Sequence, residues 1–160
     1  MEVFLSNDVD VSQGVDQAKD LLRSIASNRC SDFSGTGVVF YSDLAKLPHL
    51  QMSTGRENLK VAKCGGCDIA SALISVSSKR SPYHDGFHFI DMWSWRVTHV
   101  SQFIAPPIPD DAAQRIHGSG ARLMSAMLAS LLSGITYVGL VSQGGQVHLF
   151  CGGIDIADEV

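Results

Sequence analysis

The sequence predicts an α/β domain built on one mixed β-sheet with helices on both faces. Three observations carry that prediction. An amphipathic helical pattern opens the chain. Short β-branched and aromatic runs then alternate with helical patterns through the first half and pair as hairpins in the second. Residues 95–104 carry apolar side chains on both faces, as a strand covered on both sides requires.

The 160 residues fit one domain, 1–160, with 45 % hydrophobic and 18 % charged residues, a globular balance. A net charge of −4 argues against a broad nucleic-acid footprint, so no DNA or RNA partner is expected. Met1-Glu2-Val3-Phe4-Leu5 lacks the positive charge and apolar length of a targeting segment. No run of about 18 apolar residues codes a transmembrane helix. A cytoplasmic protein without membrane association is expected, with Cys30, Cys64, Cys67 and Cys151 reduced.

Along Ser12–Cys30, Val15, Ala18, Leu21, Leu22 and Ile25 recur at helical spacing, with Asp16, Lys19, Asp20 and Arg23 largely opposite. Gly37–Tyr41 is a buried-strand run, and Ser42–Leu50 predicts a helical turn ended by Pro48. Leu59–Ala62 predicts a short strand, and Asp68 a cap for a helix over Ile69–Ser78. Phe87–Asp91 and Trp95–Ile104 predict two strands joined through Met92-Trp93-Ser94, the second closed by Pro106, Pro107 and Pro109. A helix is expected to begin near Asp110–Asp111. Ser119–Leu132, apolar almost all round, predicts a buried one, with Met124, Met127, Leu128 and Leu131 as core. Ile135–Val141, the turn Ser142-Gln143-Gly144-Gly145 and Gln146–Cys151 predict a hairpin, and the acidic tail from Ile154 to Val160 is expected to fray.

The segment richest in chemistry is Ser81-Pro82-Tyr83-His84-Asp85-Gly86, set between a helix and the strand that starts at Phe87. It resembles the Ser-Pro-Leu-His-Asp-Gly-Ala signature of the diadenylate cyclase (DAC) domain family, matching five of the first six residues. Later stretches fall in the family's order. Phe103–Ile108 is similar to its proline-containing turn, Gly118-Ser119-Gly120-Ala121-Arg122 occupies the place of Gly-Thr-Arg-His-Arg, and Ser142–Gly145 that of Ser-Glu-Glu-Thr-Gly. The resemblance covers about residues 35–153, leaving 1–34 as an N-terminal helix region and 154–160 as a tail.

The resemblance implies a DAC-like sheet wrapped by helices. In the family, two domains face each other and join two ATP molecules into cyclic di-AMP, so a homodimer is implied. It further implies that Asp85 and Gly86 border the nucleotide, with Asp85 handling a metal and the attacking ribose hydroxyl. Gly118, Ser119 and Arg122 would hold phosphates. The departures weigh on catalysis. Gly120 and Ala121 replace Arg and His and remove a guanidinium fork, Phe87 stands where the family has Ala, and Gln143 brings no negative charge. Phosphoryl transfer depends on positioning and charge neutralisation. The expectation is therefore a degenerate domain that binds an adenine or other (cyclic) nucleotide as a sensor, needing no metal. One alternative is an active cyclase using Mg or Mn; another is a fold-only interaction module with Phe87 filling the pocket.

Other features have simpler readings. Cys64-Gly65-Gly66-Cys67 has zinc or redox spacing but lacks a second ligand pair, so a glycine turn with packed thiols is expected. His84 is read as a structural hydrogen-bonder and His88 as strand packing. Trp93 and Trp95 are read as core or dimer contact, with base stacking as the rarer role.

Overall fold

The computed structural model describes residues 7–52, 69–115 and 120–158. Helix α1 (Asn7–Ser27) is followed by β1 (Thr36–Tyr41), β2 (His49–Gln51) and α2 (Ile69–Val76). Next come β3 (Phe87–Asp91), β4 (Arg96–Ile104), the single turn α3 (Ala112–Arg115) and α4 (Ala121–Ala129). The chain closes with β5 (Ile135–Val141), β6 (Val147–Cys151) and β7 (Ile154–Asp155).

The seven strands form one sheet in the order β2-β4-β3-β1-β5-β6-β7. β1 and β3 run parallel, and every other pair is antiparallel. The mixed sheet expected from the sequence is therefore the one observed. β1 lies at its centre because Val38, Val39 and Phe40 are apolar in succession and bury both faces of the strand.

Each face has its own core. On one side Ala18, Leu22 and Ile25 of α1 and Ile69 and Leu73 of α2 cover Val38, Phe40, Ile90, Val97 and Tyr137. On the other, Ala126 and Ala129 of α4 cover Val39, Phe87, Phe89, Val138 and Phe150. The alternation of Phe87 and Phe89 with Ile90 decides which side of β3 meets which core.

Several expectations are corrected. The Ser42–Leu50 helical turn is a tight turn only: the Ala45 N–H bonds Asp43 Oδ1 at 2.8 Å, and past Pro48 the chain forms β2. Helix α4 is shorter than Ser119–Leu132. Its end tightens, with N–H donation from Leu131 to the Leu128 carbonyl and from Leu132 to that of Ala129. It is buried along one face only, and Met124 is exposed. Lys19, which the spacing puts opposite the core, is buried.

Trp93 stands 83 % exposed in the β3–β4 turn, so it is not core, whereas Trp95 stacks on Phe40 with centroids 5.6 Å apart. The tail does not fray over its first residues: Ile154–Asp155 forms β7 and Ala157 is buried. The expected strand Leu59–Ala62, the Asp68 cap and the Cys64–Cys67 turn lie outside the described residues, as do Gly118 and Ser119. No helix among the described residues is long and apolar enough to cross a membrane.

Candidate functional site

The Ser81–Gly86 segment is a loop pinned at both ends. The Tyr83 N–H bonds Ser81 Oγ at 3.1 Å, and His84 donates from Nδ1 to the Ser81 carbonyl at 2.7 Å, since a carbonyl can only accept. Tyr83 is buried in the core that α1 and α2 cover, doing the anchoring work of an apolar residue. His84 is the structural hydrogen-bonder expected. Its Nε2 stands 3.5 Å from Asp85 Oδ1, an ion pair only when the ring is protonated.

Gly86 fixes where Asp85 points. Its φ is +83°, and a Cβ there would lie 2.6 Å from the Gln102 carbonyl oxygen. The loop therefore turns sharply into β3 against the backbone of β4, leaving the Asp85 carboxylate 65 % exposed at the sheet's end.

Phe87, next along, is core. Its ring lies across Gly37 of β1, where a Cβ would come within 2.6 Å of ring Cδ1. The pair is complementary: β1 gives up a side chain so that β3 can seat an aromatic ring. Phe87 thereby forms the wall of a cavity and does not plug it.

That cavity, of about 200 Å³, is lined by Met52, Asp85, Gly86, Phe87, Gln102 and Phe103, with Ala121, Arg122 and Ser125 of α4 opposite. A second, of about 430 Å³, lies between the start of α4, Ser34-Gly35 before β1 and the Ser142–Gln143 turn. Ala121 and Arg122 line both. The structure thus brings Asp85, Gly86 and Arg122 to one groove with two lobes.

Arg122 is the pivot. Its Nη1 lies 3.2 Å from where a Gly35 Cβ would be, a position also 3.4 Å from the Gln143 backbone N. Burial pulls the guanidinium below its ordinary pKa, and the Asp85 carboxylate offsets part of that. Arg122 makes no salt bridge among the described residues, so a half-buried cation faces the groove without a carboxylate partner. Beside it α4 begins at Gly120, which has φ 98°, ψ 146° and no side-chain cap. The N-cap position therefore falls at Gly120, and among the described residues the first-turn N–H groups carry no capping side chain.

His88 lies behind this groove, fully buried as strand packing. The Ser101 N–H donates to its Nδ1 at 3.1 Å, so the neutral ring carries its hydrogen on Nε2, which has no hydrogen-bond partner among the described residues. Burial first, and the Arg122 charge second, push its pKa down to about 3. Thr36 Oγ1, Ser77 Oγ and Ser101 Oγ are likewise buried without a hydrogen bond among the described residues.

Sequence reasoning missed parts of the groove: Ser34 and Gly35, Met52 and Gln102, and His148, whose partner Asp155 falls in the tail expected to fray. Only the sheet order carries Ser34-Gly35 and His148 to one lobe and Met52 and Gln102 to the other.

No protein-family model and no curated protein matches the chain. Among solved structures, it is similar to a double mutant of DacA from Staphylococcus aureus, with a TM-score of 0.52 and 18 % identity. The match covers 92 % of this chain and 87 % of that one. At that identity the likeness is one of architecture: this chain is an α/β domain with a DacA-like fold.

Proposed function

We propose that the groove binds a nucleotide and that the domain is a DAC-like sensor, not a cyclase. The observation that carries this reading is the half-buried Arg122, free of any salt bridge among the described residues, in a groove shared with Asp85 and Gly86. A guanidinium so placed gains most by meeting an anion that brings its own oxygens, as phosphate does. The start of α4, where Gly120 brings no side-chain cap, adds N–H donors on the same side. The larger lobe falls within the volume range of ligand sites. Gly118 and Ser119 belong to the proposed phosphate end by their place in the chain, just before α4.

The cyclase alternative asks for Mg²⁺ or Mn²⁺. Among the described lining residues of both lobes, Asp85 is the one carboxylate, and Gln143 occupies the turn beside Arg122. A hard cation that wants several oxygen ligands finds a thin shell here, so no catalytic step is routed through a metal. The fold-only module predicted a pocket filled by Phe87. The ring's place in the core, with the lobe open beside it, favours ligand binding instead.

Calorimetric titration with ATP and cyclic di-AMP tests the reading. Binding of at least one is expected, and Arg122→Ala should weaken it about 10–100-fold by removing charge-assisted bonds. Failure of the wild-type protein to bind either up to millimolar concentration would sink the proposal. Incubation with ATP and Mn²⁺ should yield no cyclic dinucleotide. Product that disappears in Asp85→Ala would establish the cyclase instead.

A further inference from the structure

Resting on the nucleotide reading of the groove, the geometry points to His148, oriented by Asp155, as a second cationic contact to the phosphate end of the ligand. His148 lies on β6 across from Leu140 of β5, on the face that α4 covers, and lines the larger lobe with Arg122, Ser142 and Gln143. Its Nδ1 donates to Asp155 Oδ2 at 2.7 Å. The other carboxylate oxygen accepts the N–H groups of Leu149 and Ala157, both at 3.1 Å. The ring also stacks on Phe150, with centroids 5.9 Å apart and planes 8° from parallel. One side of the imidazole is thus fixed by a carboxylate that is itself fixed by β6 and the chain after β7. Nε2 makes no hydrogen bond among the described residues.

That arrangement sets the chemistry. With Nδ1–H committed to Asp155, a neutral ring carries a lone pair on Nε2, which repels a phosphate oxygen. A protonated ring donates there. A phosphate oxygen at Nε2 is therefore matched by the ring that carries hydrogen on both nitrogens, and proton uptake on binding is the readout of that contact. Burial pushes the Asp155 carboxyl up, yet the bonds from His148, Ala157 and Leu149 hold it below the usual carboxylate range, so it stays anionic at neutral pH.

The surrounding charges agree. Arg122 of α4 shares the lobe, where two cations suit a polyphosphate. From α1, Arg23 donates to the Ala157 carbonyl at 3.2 Å; Arg29, just past the helix, donates to the Ala26 carbonyl, and β5 offers the apolar Leu140 opposite. His148 thereby restores positive charge to a phosphate end in which Gly120 and Ala121 supply none.

The test is calorimetry of ATP and adenosine binding at pH 7.5, repeated in buffers of different ionisation enthalpy to count protons. His148→Gln is expected to weaken ATP about tenfold, to leave adenosine unchanged and to remove a proton uptake of up to about one per site. Asp155→Asn supplies a second, independent variant. Its amide would donate to Nδ1 and force the hydrogen onto Nε2, so ATP affinity should stay within about threefold while proton uptake disappears. ATP affinity and proton count unchanged in His148→Gln would overturn the assignment while leaving the nucleotide groove intact. A wild-type protein that binds no ATP, cyclic di-AMP or inorganic pyrophosphate would remove the groove reading and this assignment together. Melting temperatures of both variants near the wild-type value exclude a folding defect as the cause.

Discussion

Gly86→Ala is expected to destabilise the domain by roughly 3–5 kcal/mol, among the largest effects of any single methyl group in this chain. Two costs add. The left-handed backbone at φ +83° disfavours any Cβ by about 1–2 kcal/mol. The new atom would then sit 2.6 Å from the Gln102 carbonyl oxygen, and that oxygen belongs to the backbone of β4, which cannot swing aside as a side chain could. Gly120→Ala separates the two costs: φ there is +98°, but no atom of the described residues lies within 4 Å of the added carbon. It should therefore lose only about 1–2 kcal/mol. Urea unfolding reads both variants from the midpoint at constant slope. Equal losses at the two positions would show that the contact with β4 contributes nothing. Because Gly86 aims Asp85 and borders the smaller lobe, any folded fraction of the alanine variant should also bind nucleotide more weakly.

Acid should destabilise the protein before its carboxylates titrate, through His88. The unfolded ring takes up a proton around its ordinary value of 6.5, whereas the buried ring resists until about pH 3. The unfolded state therefore binds more protons throughout that window, and stability falls as pH falls from 6.5. By pH 4.5 the loss is about 2–3 kcal/mol. His99, depressed by burial and by His49, adds to it with the same sign. Asp155, whose folded value lies below 3.8, withdraws its contribution only at lower pH, so the window above 4.5 isolates the imidazoles. His88→Asn keeps an acceptor for the Ser101 N–H but cannot titrate. Its midpoint at neutral pH should be lower, and its dependence on pH between 6.5 and 4.5 distinctly flatter. Parallel curves for the two proteins would rule out His88 as the acid-sensitive group.

Both predictions concern residues whose identities were plain in the sequence and whose consequences were not. Gly86 was legible as the end of a signature segment, but its conflict with the Gln102 carbonyl exists only because β3 and β4 pair antiparallel at Phe87 and Gln102. His88 was assigned correctly to strand packing. Its buried, half-satisfied state depends on the irregular β4 backbone at Ser101, where φ is +52° and which no propensity rule anticipates for serine. β7 was missed for a related reason. Two residues after a Gly-Gly turn carry too little pattern to announce a strand, and Ile154–Asp155 pairs because β6 presents an edge to it.

The sequence by itself determined the kinds of element and their alternation, because helical and strand periodicities are local and survive in a linear string. It also determined the Asp85–Gly86 turn, since that is a matter of residue identity. Tertiary structure alone decided that Arg122 faces Asp85 across one groove, and that His148, held by Asp155, lies on the wall of its larger lobe. Sheet order is set by how two apolar faces are buried at once between α1, α2 and α4. Burial on that scale is a sum over residues distant in the chain, which local patterns do not encode.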